Sequence, residues 1–186
     1  SSSQNISIIP WNEIPNIVAG HDDLDIFLAG SKKNIISGNI LGLNSTKKKV
    51  LDTPATVGMQ FQDDADSNLV ENNYIGSPWI GIAVVNGSSH NRIIGNYIGT
   101  DENWELQAGA SLDGIRFWDA PDNIVKNNTI GFCRNGVLVT DLTKLALYGG
   151  NATAKITANG QHVWSTYIGG DTGHGLSFDG SGTLYV

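Results

Sequence analysis

One nine-residue phrase recurs four times along this chain: Asn34-Ile-Ile-Ser-Gly-Asn39-Ile-Leu41-Gly42, Asn68-Leu-Val-Glu-Asn-Asn73-Tyr-Ile75-Gly76, Asn91-Arg-Ile-Ile-Gly-Asn96-Tyr-Ile98-Gly99 and Asn123-Ile-Val-Lys-Asn-Asn128-Thr-Ile130-Gly131. Asn holds the first and sixth positions, an aliphatic residue the third and eighth, and Gly the ninth. A local solution repeated at a near-fixed interval folds as a stack of like units, because each unit buries its apolar face only against its neighbours.

A second phrase precedes each copy: Gly58-Met-Gln-Phe61, Gly81-Ile-Ala-Val84 and Gly114-Ile-Arg-Phe117, with Leu24-Asp-Ile-Phe27 as a degenerate first member and Gly136-Val-Leu-Val139 opening a fifth. From phrase to phrase the coils are 34, 23, 33 and 22 residues long. The basic turn is therefore about 22–23 residues, with insertions near 43–57 and 100–113. Insertions on a repeat are where function concentrates.

Within the Gly-led phrase, apolar residues alternate with others, as in Met59-Gln60-Phe61 and Ile115-Arg116-Phe117. Period two means strands with one buried face, and the β-branched, Gly- and Asn-rich coils give no sustained helical spacing. The expected fold is all-β: a right-handed parallel β-helix of about 4–5 coils. Coils one strand spacing apart, roughly 4.8 Å, stack like on like. Asn34, Asn39, Asn68, Asn73, Asn91, Asn96, Asn123 and Asn128 then stand as structural ladders, each amide bonding the next coil's Asn or backbone.

On the Asn-x-Ile-x-x-Asn-x-Ile-Gly phrase, residues 24–141 resemble right-handed parallel β-helix repeat proteins of the pectate-lyase-like, bacterial surface type. Ile98-Gly-Thr-Asp101, followed by Ala108-Gly-Ala and Asp113-Gly114-Ile115, is similar to an insertion of surface members of that group. The resemblance implies the fold and an extracellular or cell-surface bacterial setting, and it specifies no activity.

Residues 1–23, with Ile8, Ile9, Pro10, Trp11, Ile14 and Pro15, are expected to form an N-terminal cap or continuation segment, which a solenoid needs to cover its terminal coil. Residues 142–186 carry Trp164-Ser-Thr-Tyr-Ile-Gly-Gly170 and Asp179-Gly-Ser-Gly182-Thr-Leu-Tyr-Val186, and resemble a single bacterial β-propeller-type repeat. One blade cannot close a propeller. Either the chain belongs to a longer extracellular protein, or its last strands pair with another subunit's edge.

The formal net charge is −7, and the one basic run, Lys47-Lys48-Lys49, lies inside an insertion. A field of that sign repels phosphate backbones, so nucleic acid is not expected as a partner. No apolar run is long enough for a transmembrane segment and no signal-peptide progression opens the chain. Cys133 is the sole cysteine, which precludes an internal disulfide and says nothing of compartment. Asn-x-Ser/Thr triplets at Asn5, Asn44, Asn86, Asn127 and Asn151 arise naturally from Asn-rich corners.

The acidic clusters Asp63-Asp64-Ala-Asp66 and Asp119-Ala-Pro-Asp122 invite calcium or carboxylate chemistry. Their register favours turn chemistry, since Asp63, Asn86, Asp119 and Asp141 all fall five positions after a phrase-opening Gly. Arg116, outward on its strand, is the basic residue a polysaccharide lyase would use, with Asp63 and Asp119 as weak catalytic partners. The Asn-x-Asp, His-Gly and Arg-x-Lys set of pectin hydrolases is absent. His21, His90, His162 and His174 share no metal-ligand spacing with one another or with Cys133, so no metal set is read, and calcium is the one cofactor left open. Tyr74 and Tyr97, with Trp118 and the inserted Trp104, are candidate platforms for sugar rings, which present an apolar face. The expected function is a structural or adhesive surface module that self-associates through terminal strands or binds another surface protein. A polysaccharide lyase and a non-catalytic carbohydrate-binding module are the alternatives.

Overall fold

The computed structural model describes residues 5–52, 56–103 and 112–140, and beyond these the backbone of five strands within 145–185. Three short strands make each coil. The first contributes β1 (Ser7–Ile8), β2 (Ile17–Val18) and β3 (Leu24–Ala29), and the second β4 (Ile35–Ser37), β5 (Ile40–Leu41) and β6 (Val57–Gln62). The third adds β7 (Leu69–Glu71), β8 (Tyr74–Ile75) and β9 (Ile80–Val85), and the fourth β10 (Arg92–Ile94), β11 (Tyr97–Ile98) and β12 (Asp113–Trp118). The fifth holds β13 (Asn123–Lys126), β14 (Thr129–Gly131) and β15 (Asn135–Thr140), and a partial sixth β16 (Leu145–Tyr148) and β17 (Asn151–Ile156).

Each of these strands pairs in parallel with its counterparts one coil away, which gives the sheet orders β1-β4-β7-β10-β13-β16, β2-β5-β8-β11-β14-β17 and β3-β6-β9-β12-β15. This is a right-handed parallel β-helix. The column extends past residues 24–141 at both ends: Ile17 and Val18 pair with Ile40 and Leu41, and Thr129 to Gly131 pair with Ala152 to Ala154. Beyond it, β18 (His162–Ile168) folds antiparallel onto β17, and β19 (Ser177–Phe178) pairs antiparallel with β20 (Leu184–Tyr185). Most of the propeller-like motif lies outside the described residues.

The register sets Met59 beside Ile82 and Ile82 beside Ile115, and likewise Phe61, Val84 and Phe117, all buried. The third-position residues Ile36, Val70, Ile93 and Val125 and the eighth-position Leu41, Ile75, Ile98 and Ile130 complete the core. Each such side chain stabilises the fold by roughly 1.5–3 kcal/mol relative to exposure. The phrase-opening glycines serve this packing rather than a turn. A Cβ on Gly81 would lie 2.4 Å from Ile98 Cγ2 and 2.5 Å from the Gly114 carbonyl oxygen, so only hydrogen fits where the aliphatic corner residue meets the next coil.

Two asparagine ladders close the corners. In one, the Asn34, Asn68 and Asn91 backbone N–H groups donate to Oδ1 of Asn68, Asn91 and Asn123 at 2.8–3.0 Å. In the other, Asn39, Asn73 and Asn96 donate to Asn73, Asn96 and Asn128 in the same way. Asn16 adds a rung through Nδ2 to Asn39 Oδ1 at 2.8 Å. These amides are inside because every polar atom finds a partner there, which removes the cost of burial.

Candidate functional sites

Arg116 stands on the outward face of β12, in register with Ala83 below and Leu138 above. Its guanidinium folds back onto Asp113 of the same strand: Nε donates to Oδ2 at 2.5 Å, and Nη2 meets the same oxygen. Asp113 is buried, and its Oδ1 accepts from Asn135 Nδ2 at 2.6 Å. This arginine is engaged by a carboxylate three residues away.

Asp63 and Asp119 occupy one corner line two coils apart, about 10 Å at strand spacing, with Asn86 between them. All three have positive φ, 55°, 48° and 52°, the left-handed conformation that Asp and Asn tolerate best. Asp63 Oδ2 accepts from Gln62 Nε2, and neighbouring Asp66 is tied to Lys32 Nζ at 2.6 Å and to the Ser89 backbone and hydroxyl. Among the described residues no contact joins Arg116 to Asp63 or Asp119. Asp141 lies outside the described residues.

Tyr74 and Tyr97 stack with centroids 4.8 Å apart and planes at 11°. Lys47 Nζ sits 3.7 Å over the Tyr74 ring. That cation cannot share the narrow gap with Tyr97, so it covers the opposite face, and both faces of Tyr74 are occupied. Its hydroxyl donates to Glu102 Oε2 at 2.9 Å. Both insertions thus converge on one tyrosine, Lys47 from the first and Glu102 from the start of the second. Trp118, at the end of β12, is 55 % exposed and stands apart from this stack, while Trp104 lies outside the described residues.

The structure also assembles a polar group that sequence spacing does not reveal. His21 precedes β3, Asp25 lies within it, and Asp52 comes from the first insertion one coil later; one ligand atom from each falls within 4.8 Å of the others. His21 Nδ1 meets Asp25 Oδ1 at 2.8 Å, and the Gly20 N–H donates to Asp52 Oδ1 at 2.6 Å. The second oxygens of both aspartates are buried without a hydrogen-bond partner. Burial pushes the Asp25 carboxyl up to about 7; the His21 hydrogen bond opposes this, and the Asp52 carboxylate adds to it. The sequence signal was masked because coil length, not a ligand-spacing rule, brings Asp52 to His21.

The fold defines a parallel β-helix protein, on which the described contacts of Arg116 are to Asp113 and not to Asp63 or Asp119. The family model for NosD, described as periplasmic copper-binding protein, matches residues 12–113, and the chain belongs to that family. The family description puts it, at a coarse level, outside the cytoplasm. No curated protein and no solved structure matches the chain.

Proposed function

We propose that the chain is a rigid extracytoplasmic scaffold, a structural or adhesive β-helix module that presents surfaces and does not turn over a substrate. The observation that carries this reading is the capture of Arg116 by buried Asp113, which leaves the one candidate lyase base bound within its own strand. A column held by ladders and a continuous core suits a load-bearing or spacing role. Support for self-association comes from the first coil. There Ile9, Trp11 and Ile14 are exposed.

The family's description as copper-binding bears on this chain through its donor atoms. Copper(I) favours thiolate and thioether ligands. Met59 is sealed in the core, and the Cys133 thiol donates to the Gly131 carbonyl. The nitrogen and oxygen donors of His21, Asp25 and Asp52 suit the oxidised, divalent ion instead.

A glycan array combined with an unsaturated-uronide absorbance assay tests the scaffold reading. The expected result is no turnover; turnover that disappears in Arg116→Ala would establish the lyase, and glycan binding alone would define a carbohydrate-binding module. Sedimentation at several concentrations tests self-association, and a strict monomer at every concentration removes that part of the reading.

A further inference from the structure

We propose that His21, Asp25 and Asp52 form a binding site for one divalent transition-metal ion, with copper(II) bound most tightly, which pins the first insertion to the first coil. The two partnerless oxygens are the central observation. Asp25 Oδ2 and Asp52 Oδ2 are both buried, both acceptor-only when ionised, and both without a donor. The Asp25 side chain is 0 % exposed, so water does not compensate it. Two carboxyls held together away from solvent are costly to ionise together, and a cation between them satisfies both oxygens.

The surroundings are built around this arrangement. The Gly20 N–H fixes the other oxygen of Asp52, and the Thr56 hydroxyl donates to the His21 carbonyl at 2.8 Å, anchoring the backbone that carries the imidazole. Gly42 completes the cradle: a Cβ there would stand 2.6 Å from Asp52 Oδ2. These contacts orient the ligands in the way that supporting residues of metal sites do.

The donor set selects the ion. One imidazole nitrogen and two carboxylate oxygens match borderline divalent ions, among which copper(II) binds most tightly by the Irving–Williams order. Calcium takes six to eight oxygens, more than this group offers. The ligand atoms of such an ion lie about 3 Å apart, given bonds of about 2 Å, and the three groups bring theirs within 4.8 Å of one another. His21 is half exposed, so water has access to the remaining positions.

The test uses the full chain stripped with chelator and titrated calorimetrically with copper(II), zinc(II) and calcium chlorides, with electron paramagnetic resonance on the copper-loaded sample. The expected result is one copper(II) per chain, tighter than zinc, with hyperfine coupling from one imidazole. His21→Ala removes that coupling, and Asp25→Asn and Asp52→Asn each weaken binding by at least ~10-fold. The Asp52→Asn amide keeps the oxygen that accepts from Gly20, so this variant retains the fold contact. The combined His90→Ala, His162→Ala and His174→Ala variant serves as control and retains both affinity and coupling.

Binding that survives His21→Ala and Asp52→Asn, or that is lost in the histidine control, overturns the assignment. A preference for calcium overturns the ion class. If no ion binds and Asp25→Asn only raises the unfolding temperature, the two carboxyls are a proton-sharing pair and the proposal is wrong. None of these outcomes bears on the lyase or sedimentation tests of the scaffold.

Discussion

Tyr97 lies flat against Tyr74 at 4.8 Å, the spacing of neighbouring strands, so the pair is a direct print of the coil repeat in side chains. Burial raises the Tyr74 phenol above its ordinary range, and the hydrogen bond to Glu102 adds to the rise. Tyrosinate absorbance from Tyr74 should therefore appear only above the ordinary tyrosine range, near pH about 10. Tyr74→Phe is expected to remove that late step. An alkaline titration curve left unchanged by Tyr74→Phe would contradict the enclosed geometry.

Asn73 sits mid-ladder, accepting from Asn39 and donating to Asn96 and to the Ile36 carbonyl. Asn73→Ala strands the buried Asn39 N–H and removes the side-chain donor to the Ile36 oxygen, at an expected cost of about 2–4 kcal/mol in urea unfolding. Asn16→Ala, at the more exposed start of the ladder, should cost about 1 kcal/mol. Equal costs would mean that the ladder adds nothing beyond local bonding.

Gly81 and Gly30 separate two uses of glycine. Gly81→Ala drives a methyl into Ile98 and the Gly114 backbone and should destabilise by about 3 kcal/mol. Gly30 has φ +58° with its nearest neighbour at 3.4 Å, so Gly30→Ala carries only the conformational cost, about 1 kcal/mol. Thermal unfolding of the two variants ranks them.

Burial would raise the Asp66 carboxyl, but hydrogen bonds from Lys32 and Ser89 outweigh it and hold the group below its usual range. The Asp66 hydrogen bond holds Lys32 above its ordinary value. Stability from the pair is thus present above the unfolded carboxylate range, near pH about 4, and lost as acid protonates Asp66. At the alkaline end it is lost as pH rises through the folded Lys32 value. Asp66→Asn should flatten the acid limb of the stability curve, and high salt should narrow the difference, since Lys32 is half exposed. An unchanged acid limb would remove this pair from the account.

The column was legible because two periodicities agree: alternation within Gly58–Phe61 and its relatives chose strands, and the paired asparagines fixed which strands stack. Asn16 was harder to see. Asn16-Ile17-Val18 repeats the second half of the phrase, but Pro10 and Trp11 break the first half, and the gap to Gly20 is one residue longer than in Asn39-Ile40-Leu41-Gly42. Lys47 and Glu102 on Tyr74, like Asp52 beside His21, come from inserted segments that obey no period. Repetition predicts the frame; contacts made by departures from it require coordinates.

The ladders also have a sense of direction. In every rung between coils the earlier coil's N–H points to the later coil's side-chain carbonyl, never the reverse. Aligned amide dipoles polarise one another, so the column is a vector with a distinct head and tail. A further coil or second column can prolong the ladders only head to tail; the opposite orientation would set donor against donor or oxygen against oxygen. The same asparagines that hold the coils together prescribe the orientation of anything that extends them.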